Sequence, residues 1–134
     1  ENGEPSPEFF HFIGGMQKYV PSTLVMMAPY VNSYRRLTPD MACPVNTAWG
    51  YDNRTTAFRI PVSDPDSRRV ENRLPSSDAN PYLALAASLA CGYLGIENLA
   101  DPSAPTPSGE PFRGTSRVRR RGRSAVGRRP LTER

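Results

Sequence analysis

From Tyr82 to Leu94 nearly every residue is apolar or small, on all sides of a helical wheel. Asn80 supplies an N-cap and Pro81 a first helical residue with its φ already set, so the spacing predicts a helix from Pro81, with Gly95 as its C-cap. A helix that is apolar all round is buried on most sides. It needs partners on most sides, and the rest of this chain offers few. The expectation is a piece of a larger domain whose sheet is completed elsewhere. The run is too short to span a membrane and carries Ser88, Gly92 and Gly95.

Residues 6–28 predict a second helical region. Ser6 is the N-cap, Pro7 the first helical residue and Glu8 an acid in the first turn. Phe9, Phe12, Ile13, Met16 and Val20 then recur at a helical period. His11 falls off that stripe and reads as a surface histidine. Gly14-Gly15 costs such a helix about 1 kcal/mol per glycine relative to alanine, which points to another backbone packed closely against it. Pro21 is expected to end or kink the helix, with a second one over 22–28 that Pro29 stops.

Residues 30–56 show no periodicity and read as a long polar loop, which in a compact domain is usually functional. Two alternating stretches follow, 55–60 and 68–74, joined by Ser63-Asp64-Pro65-Asp66-Ser67. This predicts an antiparallel pair of strands. Residues 101–111 hold Pro102, Pro105, Pro107 and Pro111 and read as a linker. The two cysteines, Cys43 and Cys91, sit 48 positions apart with no nearby histidine and read as reduced thiols. A zinc site is not expected, because the single histidine has no second ligand close in sequence.

The net charge of +4 sums two unlike pieces. Residues 1–110 carry eight basic and twelve acidic side chains, a net of −4, whereas residues 111–134 carry nine Arg and one acid, a net of +8. Any inference from charge to a nucleic-acid partner rests on the tail alone. The tail cannot bury enough apolar surface to fold and is expected to be disordered. The start of the chain lacks Met and shows no signal-peptide pattern, so it is expected to begin inside a longer protein.

The segment Arg68-Arg69-Val70-Glu71-Asn72-Arg73-Leu74 carries the clearest chemistry. In a strand, residues two apart share a face. Arg69, Glu71 and Arg73 therefore line one face and Val70 and Leu74 the other. This is either a salt-bridge ladder on a solvated face or a site where Glu71 binds a divalent cation and the guanidiniums bind anionic oxygens. Arg54 and Arg59, five apart, converge only if Arg54 lies in the turn after Asp52-Asn53. Residues 1–110 use seven Arg and one Lys. Arginine suits bidentate recognition of carboxylate and phosphate, which favours an anionic substrate such as a nucleotide or an amino acid.

Six segments occur in order: Asn32-Ser33-Tyr34-Arg35-Arg36-Leu37, Pro44-Val45-Asn46, Asp52-Asn53-Arg54, Phe58-Arg59-Ile60-Pro61, Arg69-Val70-Glu71-Asn72-Arg73-Leu74-Pro75 and Ala79-Asn80-Pro81-Tyr82-Leu83. Together they resemble the glutamine synthetase catalytic domain over residues 6–102, with most likeness to the glutamate–amine ligases such as gamma-glutamylpolyamine synthetases. The resemblance implies an α+β fold: a fragment of that domain over residues 1–110, with two antiparallel strands and flanking helices, ahead of an Arg-rich tail over 111–134. It also implies an ATP-dependent ligase that forms gamma-glutamyl phosphate and then couples it to ammonia or an amine. ATP and Mg2+ or Mn2+ are the implied cofactors, a homo-oligomeric ring the implied assembly of the parent, and the cytoplasm the implied location. Carried over residue by residue, Glu71 matches the metal-binding glutamate and Arg73 an arginine near the glutamate and the transferred phosphate. Arg36 matches the arginine on the glutamate carboxylate, and Arg54 and Arg59 match arginines on the ATP phosphates. Arg69 matches the first arginine of the same strand.

The departures are specific. The family's other metal ligands lie upstream of this chain, and His11 matches none of them. Six residues after Arg36, where ammonia-using members carry a glutamate, stands Ala42, between Met41 and Cys43 and close to Asp40. Beyond Arg113 the text is Arg, Gly and Ser, as a shifted reading frame would give. An Arg-rich RNA-binding tail would look similar, but this one lacks aromatics and follows an acidic body. Two rival readings are therefore an inactive remnant and an Arg-tailed nucleic-acid-binding protein.

Overall fold

The computed structural model describes residues 3–37 and 43–108. The long helix α1 (Pro7–Met27) begins where the sequence predicts, with Ser6 Oγ accepting from the Phe9 amide at 3.4 Å. A short helix α2 (Val31–Tyr34) follows, then strands β1 (Trp49–Tyr51), β2 (Phe58–Ile60) and β3 (Glu71–Asn72), and finally helix α3 (Pro81–Glu97). The predicted turn between the strands contains a single 3-10 turn, Pro65–Ser67. The architecture is α+β, with a three-stranded mixed sheet in the order β1-β2-β3.

Three expectations are corrected. Pro21 lies inside α1 and neither ends it nor starts a second helix. Its missing N–H and ring clash cost about 3 kcal/mol in a helix interior. Both halves of α1 nevertheless bury the same stripe: Ile13, Met16 and Val20 before the proline, Met27 after it. Gly95 is not a cap, because α3 runs past it to Asn98, and Leu99 takes the left-handed conformation at φ 48°. The stretch read as loop contains α2 and β1.

Strands β2 and β3 are antiparallel, as predicted, pairing Phe58 with Asn72 and Arg59 with Glu71. Strand β1 adds a parallel pairing to β2, Trp49 with Phe58 and Tyr51 with Ile60, across the short return 52–57. Parallel neighbours usually need a long crossover. Here the turn is made by Asp52 at φ 46° and held by side chains. Asn53, 2% exposed, accepts from the Thr55 amide and hydroxyl at 2.8 Å each, and Thr56, wholly buried, donates to the Asn53 carbonyl at 2.9 Å. These bonds consume Thr55 and Thr56, and the Ala57 amide donates to Asn46 Oδ1 at 3.3 Å, so β2 starts at Phe58 and not at the predicted Thr55.

The core lies between the sheet and the two long helices, around Phe58, Ile13, Met16, Val20, Met27 and Cys91. The predicted close approach at Gly14-Gly15 is present: Gly15 meets α3 backbone to backbone at Cys91 and Gly95, and Gly14 meets Ala100. Asn72 Nδ2 donates to Ser88 Oγ at 3.0 Å and ties β3 to α3. Beside it an apolar cleft of ≈ 590 Å³ opens between α1, β3 and α3, lined by Phe12, Met16, Val70, Ala84, Leu85 and Leu89. Only one side of α3 is covered. Tyr82 is 83% exposed, Leu85 61%, Leu89 55% and Tyr93 59%, so its partners on the far side are not among the described residues.

Residues 103–107, read as linker, run along the free edge of β1. The Thr106 amide donates to the Trp49 carbonyl at 2.8 Å, and the Trp49 indole donates to the Ser103 carbonyl at 2.7 Å. Gln17 clamps the same segment from α1, giving its Nε2 proton to Ser103 Oγ at 2.9 Å and accepting the Ser103 amide at 2.8 Å. His11 is also corrected: it is half-buried, with Nδ1 3.6 Å from Asp101. The flap positions Asp40, Met41 and Ala42 and the whole Arg-rich tail lie outside the described residues.

Candidate functional site

Adjacent residues of a strand point to opposite faces. Asn72 faces the helices, so Glu71 faces away from them, and around it the arginines gather. Arg59 lies directly across the sheet from Glu71, and its Nη1 donates to Glu71 Oε2 at 2.9 Å. Its Nη2 reaches Asp52, which the tight return from β1 has brought alongside. Arg73 Nε sits 3.3 Å from the other Glu71 oxygen, and its Nη1 donates to the Arg54 carbonyl. Arg59 is therefore held even more firmly in its charged form, first by the Asp52 hydrogen bond and then by that of Glu71.

Of the six predicted site residues, Glu71, Arg59 and Arg73 form one connected cluster. Arg54 joins it through its backbone, its side chain exposed in the turn after Asp52-Asn53, where convergence with Arg59 requires it. Arg36 lies at the end of α2 and its Nη2 donates to the Leu74 carbonyl, immediately after Arg73. Arg69 does not take part. It is exposed and donates to the Ser67 carbonyl at 3.3 Å, because the alternation of 68–74 is realised only at Glu71–Asn72. The carboxylate of Glu71 is thus held between Arg59 and Arg73, not between Arg69 and Arg73.

Two participants were missed. Asp52 was read only as turn chemistry; its pairing with Arg59 depends on the parallel return, which no local pattern announces. Asp78 was not singled out at all. Its carboxylate accepts from Ser33 at 2.9 and 3.0 Å and from Ser76, and these bonds hold its pKa below the ordinary carboxylate range.

The cluster suits anions. It offers several planar guanidiniums within one patch, and the Nε atoms of Arg36 and Arg59 are buried without a hydrogen-bond partner among the described residues. Its own ion pairs are partly exposed, so they are worth little as stability and exchange readily for a stronger anionic ligand. A divalent cation is different. Among the described residues no three His, Cys, Asp or Glu side chains cluster, and both oxygens of Glu71 already face guanidiniums. These residues alone do not fit a metal site.

Comparison with known proteins places the chain in a family. Residues 1–120 match the family model described as glutamine synthetase, catalytic domain. The chain is 46% identical over 96 residues to gamma-glutamylputrescine synthetase PuuA of Escherichia coli, covering 72% of this chain and 20% of that protein. It is 45% identical over 97 residues to a glutamine synthetase of Streptomyces coelicolor, covering 71% and 21%. It is 42% identical over 107 residues to the gamma-glutamylethanolamide synthetase GlnA4 of the same organism, covering 80% and 23%. The chain thus spans roughly a fifth of the length of these curated relatives. No helix among the described residues is long and apolar enough to cross a membrane. With most of its length matched by one family model, this chain belongs to the glutamine synthetase catalytic-domain family.

Proposed function

We propose that this chain is part of the catalytic domain of an ATP-dependent ligase that joins ammonia or an amine to the γ-carboxyl of glutamate. The observation that carries the reading is the family match over residues 1–120. The arginine patch supports it, because ATP carries a polyphosphate and glutamate two carboxylates, both of which guanidiniums bind. In this reading a γ-carboxylate oxygen attacks the terminal phosphorus of ATP and ADP leaves. An amine nitrogen then attacks the acyl carbon of γ-glutamyl phosphate, phosphate leaves, and the nitrogen gives up a proton.

The residues of this chain bind and orient. Arg36 grips the glutamate carboxylate, Arg54 and Arg59 hold the ATP phosphates, and Arg73 lies between glutamate and the phosphoryl group in transfer. Prepositioned guanidiniums counter charge where it develops, without reorganising at the moment of reaction. Asp52 and Glu71 fix the plane of Arg59 beforehand. Arg69 joins the nucleotide side only through a change of rotamer. Glu71 would be this chain's one ligand to Mg2+ or Mn2+, which would neutralise phosphate charge, and the other ligands would have to come from elsewhere in the parent. A homo-oligomeric ring in the cytoplasm, and a boundary between a domain over 1–110 and a tail over 111–134, belong to the same reading.

The amine is proposed from Ala42. A site for ammonium needs a carboxylate to bind the cation and take its proton. Ala42, next to Met41 and Cys43 in sequence, brings no carboxylate, and an apolar lining would favour an alkyl amine by about 0.8 kcal/mol per buried methylene. The test is phosphate release by the full-length ligase that carries this segment, with glutamate, ATP and each amine in turn. A higher kcat/KM for putrescine or ethanolamine than for ammonium is expected. A tenfold preference for ammonium would sink the amine assignment, and no glutamate-dependent phosphate release with any amine would sink the ligase.

A further inference from the structure

We infer that Asp78 is a positioning residue that holds Arg36 where it can grip the carboxylate of the amino-acid substrate. The inference rests on the reading of Arg36 proposed above. Helix α2 has four residues, far fewer than a helix needs to persist by itself. What fixes it is Ser33, which is 3% exposed. The Ser33 hydroxyl accepts from the Tyr30 amide at 3.2 Å and gives its one proton to the Asp78 carboxylate. Asp78 is fixed in turn by Ser76, whose hydroxyl donates to Oδ1 and whose amide donates to the Met27 carbonyl at 2.8 Å, at the end of α1.

Arg36 stands three residues beyond Ser33, in the turn that closes α2, where the Leu37 amide donates to the Tyr34 carbonyl at 3.0 Å. Its guanidinium is anchored at Leu74. Residues 74–78 therefore hold Arg36 twice, at its head through the Leu74 carbonyl and at its root through Asp78 and Ser33. The hydrogen bonds from Ser76 and then Ser33 favour the ionised form of Asp78, and the Arg36 charge adds to them. Removing that acceptor leaves the proton of the buried Ser33 hydroxyl without its carboxylate, though the oxygen still accepts from Tyr30, and lets the root of Arg36 shift while its head stays attached. A shift of about 1 Å at a substrate-binding group is enough to cost an order of magnitude or more.

The experiment uses the full-length ligase carrying this segment, with steady-state kinetics in glutamate and in ATP and a melting curve for each variant. Asp78→Ala is expected to raise KM for glutamate about tenfold, with KM for ATP within about twofold and kcat within about threefold. Ser33→Ala should give a similar selective change. Asp78→Asn, which still accepts a hydrogen bond, should recover most of the loss. A rise in both KM values together with a fall in Tm would mark Asp78 as merely structural and overturn the inference. So would an unchanged KM for glutamate in both alanine variants. Arg36→Ala separates the two layers: a large rise in KM for glutamate there with no effect of Asp78→Ala defeats only the positioning role. No effect of Arg36→Ala defeats the reading of Arg36 and the inference with it.

Discussion

Gly15 of α1 and Gly95 of α3 face each other backbone to backbone, so that a Cβ built on either would stand 2.5 Å from the Cα of the other. No real Cβ contact is that short, and the atoms in the way are main chain, which cannot rotate aside. Gly15→Ala or Gly95→Ala must push the two helices apart. Each is expected to destabilise the fold by roughly 3 kcal/mol, even though alanine is the better helix former. Urea unfolding followed by circular dichroism checks this, and a stabilised alanine variant would show that the helices do not pack as described.

That pair also shows what could be read in advance. The two helix starts were legible because capping is local: Asn80 accepts from the Tyr82 amide at 3.0 Å within three residues of itself. Gly14-Gly15 signalled a close approach, but not to what. Gly95 has the same residue type as a C-cap and was misread as one, since its partner lies 80 positions away. Pro21 was misread for the same reason: burial of Met27 against the core outweighs a local break. Strand β1 has three residues with Gly50 at its centre and pairs through a return that depends on buried Asn53 and Thr56. In the patch, the pairing of Glu71 with Arg73 was legible from alternation, whereas Asp52 and Asp78 enter only through tertiary contacts.

The uncovered side of α3 should behave as an exposed apolar patch. The isolated chain is expected to bind the dye ANS and to self-associate at micromolar concentration. Leu85→Lys with Leu89→Lys should reduce both while leaving helix content unchanged, because neither side chain belongs to the buried core. Light scattering and circular dichroism measured side by side check it.

Acid should loosen the region between α1 and α2. The pKa of Asp78 lies below its unfolded value, held down first by the Ser76 hydrogen bond and then by that of Ser33. Its contribution is therefore present above the unfolded pKa and is lost as pH falls through the folded one, below roughly pH 4. Glu8 is lowered in the same sense, first by a backbone hydrogen bond and then by Ser6, at the positive end of α1. Asp78→Asn should flatten the acid limb of stability against pH without moving the limb above pH 6. A wild-type acid limb in that variant would contradict the assignment.

Glu71 is the one metal-type carboxylate that the arginine strand supplies, and a single carboxylate leaves a hard cation mostly hydrated and weakly held. The isolated chain should release no phosphate from ATP in the presence of glutamate and Mg2+. A coupled phosphate assay decides this, and measurable glutamate-dependent release would mean that this chain suffices for chemistry.

The chain has one tryptophan, Trp49, and its indole N–H is bonded to the Ser103 carbonyl, with the ring against Phe10 and Tyr51. The molecule thus carries its own optical reporter at the seam between β1 and the segment 103–107. Trp49 is 3% exposed, so its emission is expected to be blue-shifted while that segment is docked and to move to the red once water reaches the ring. Helix content is reported separately by α1 and α3. A red shift that precedes the loss of ellipticity on heating would mean that the segment peels away first, and its midpoint would time that detachment without any label.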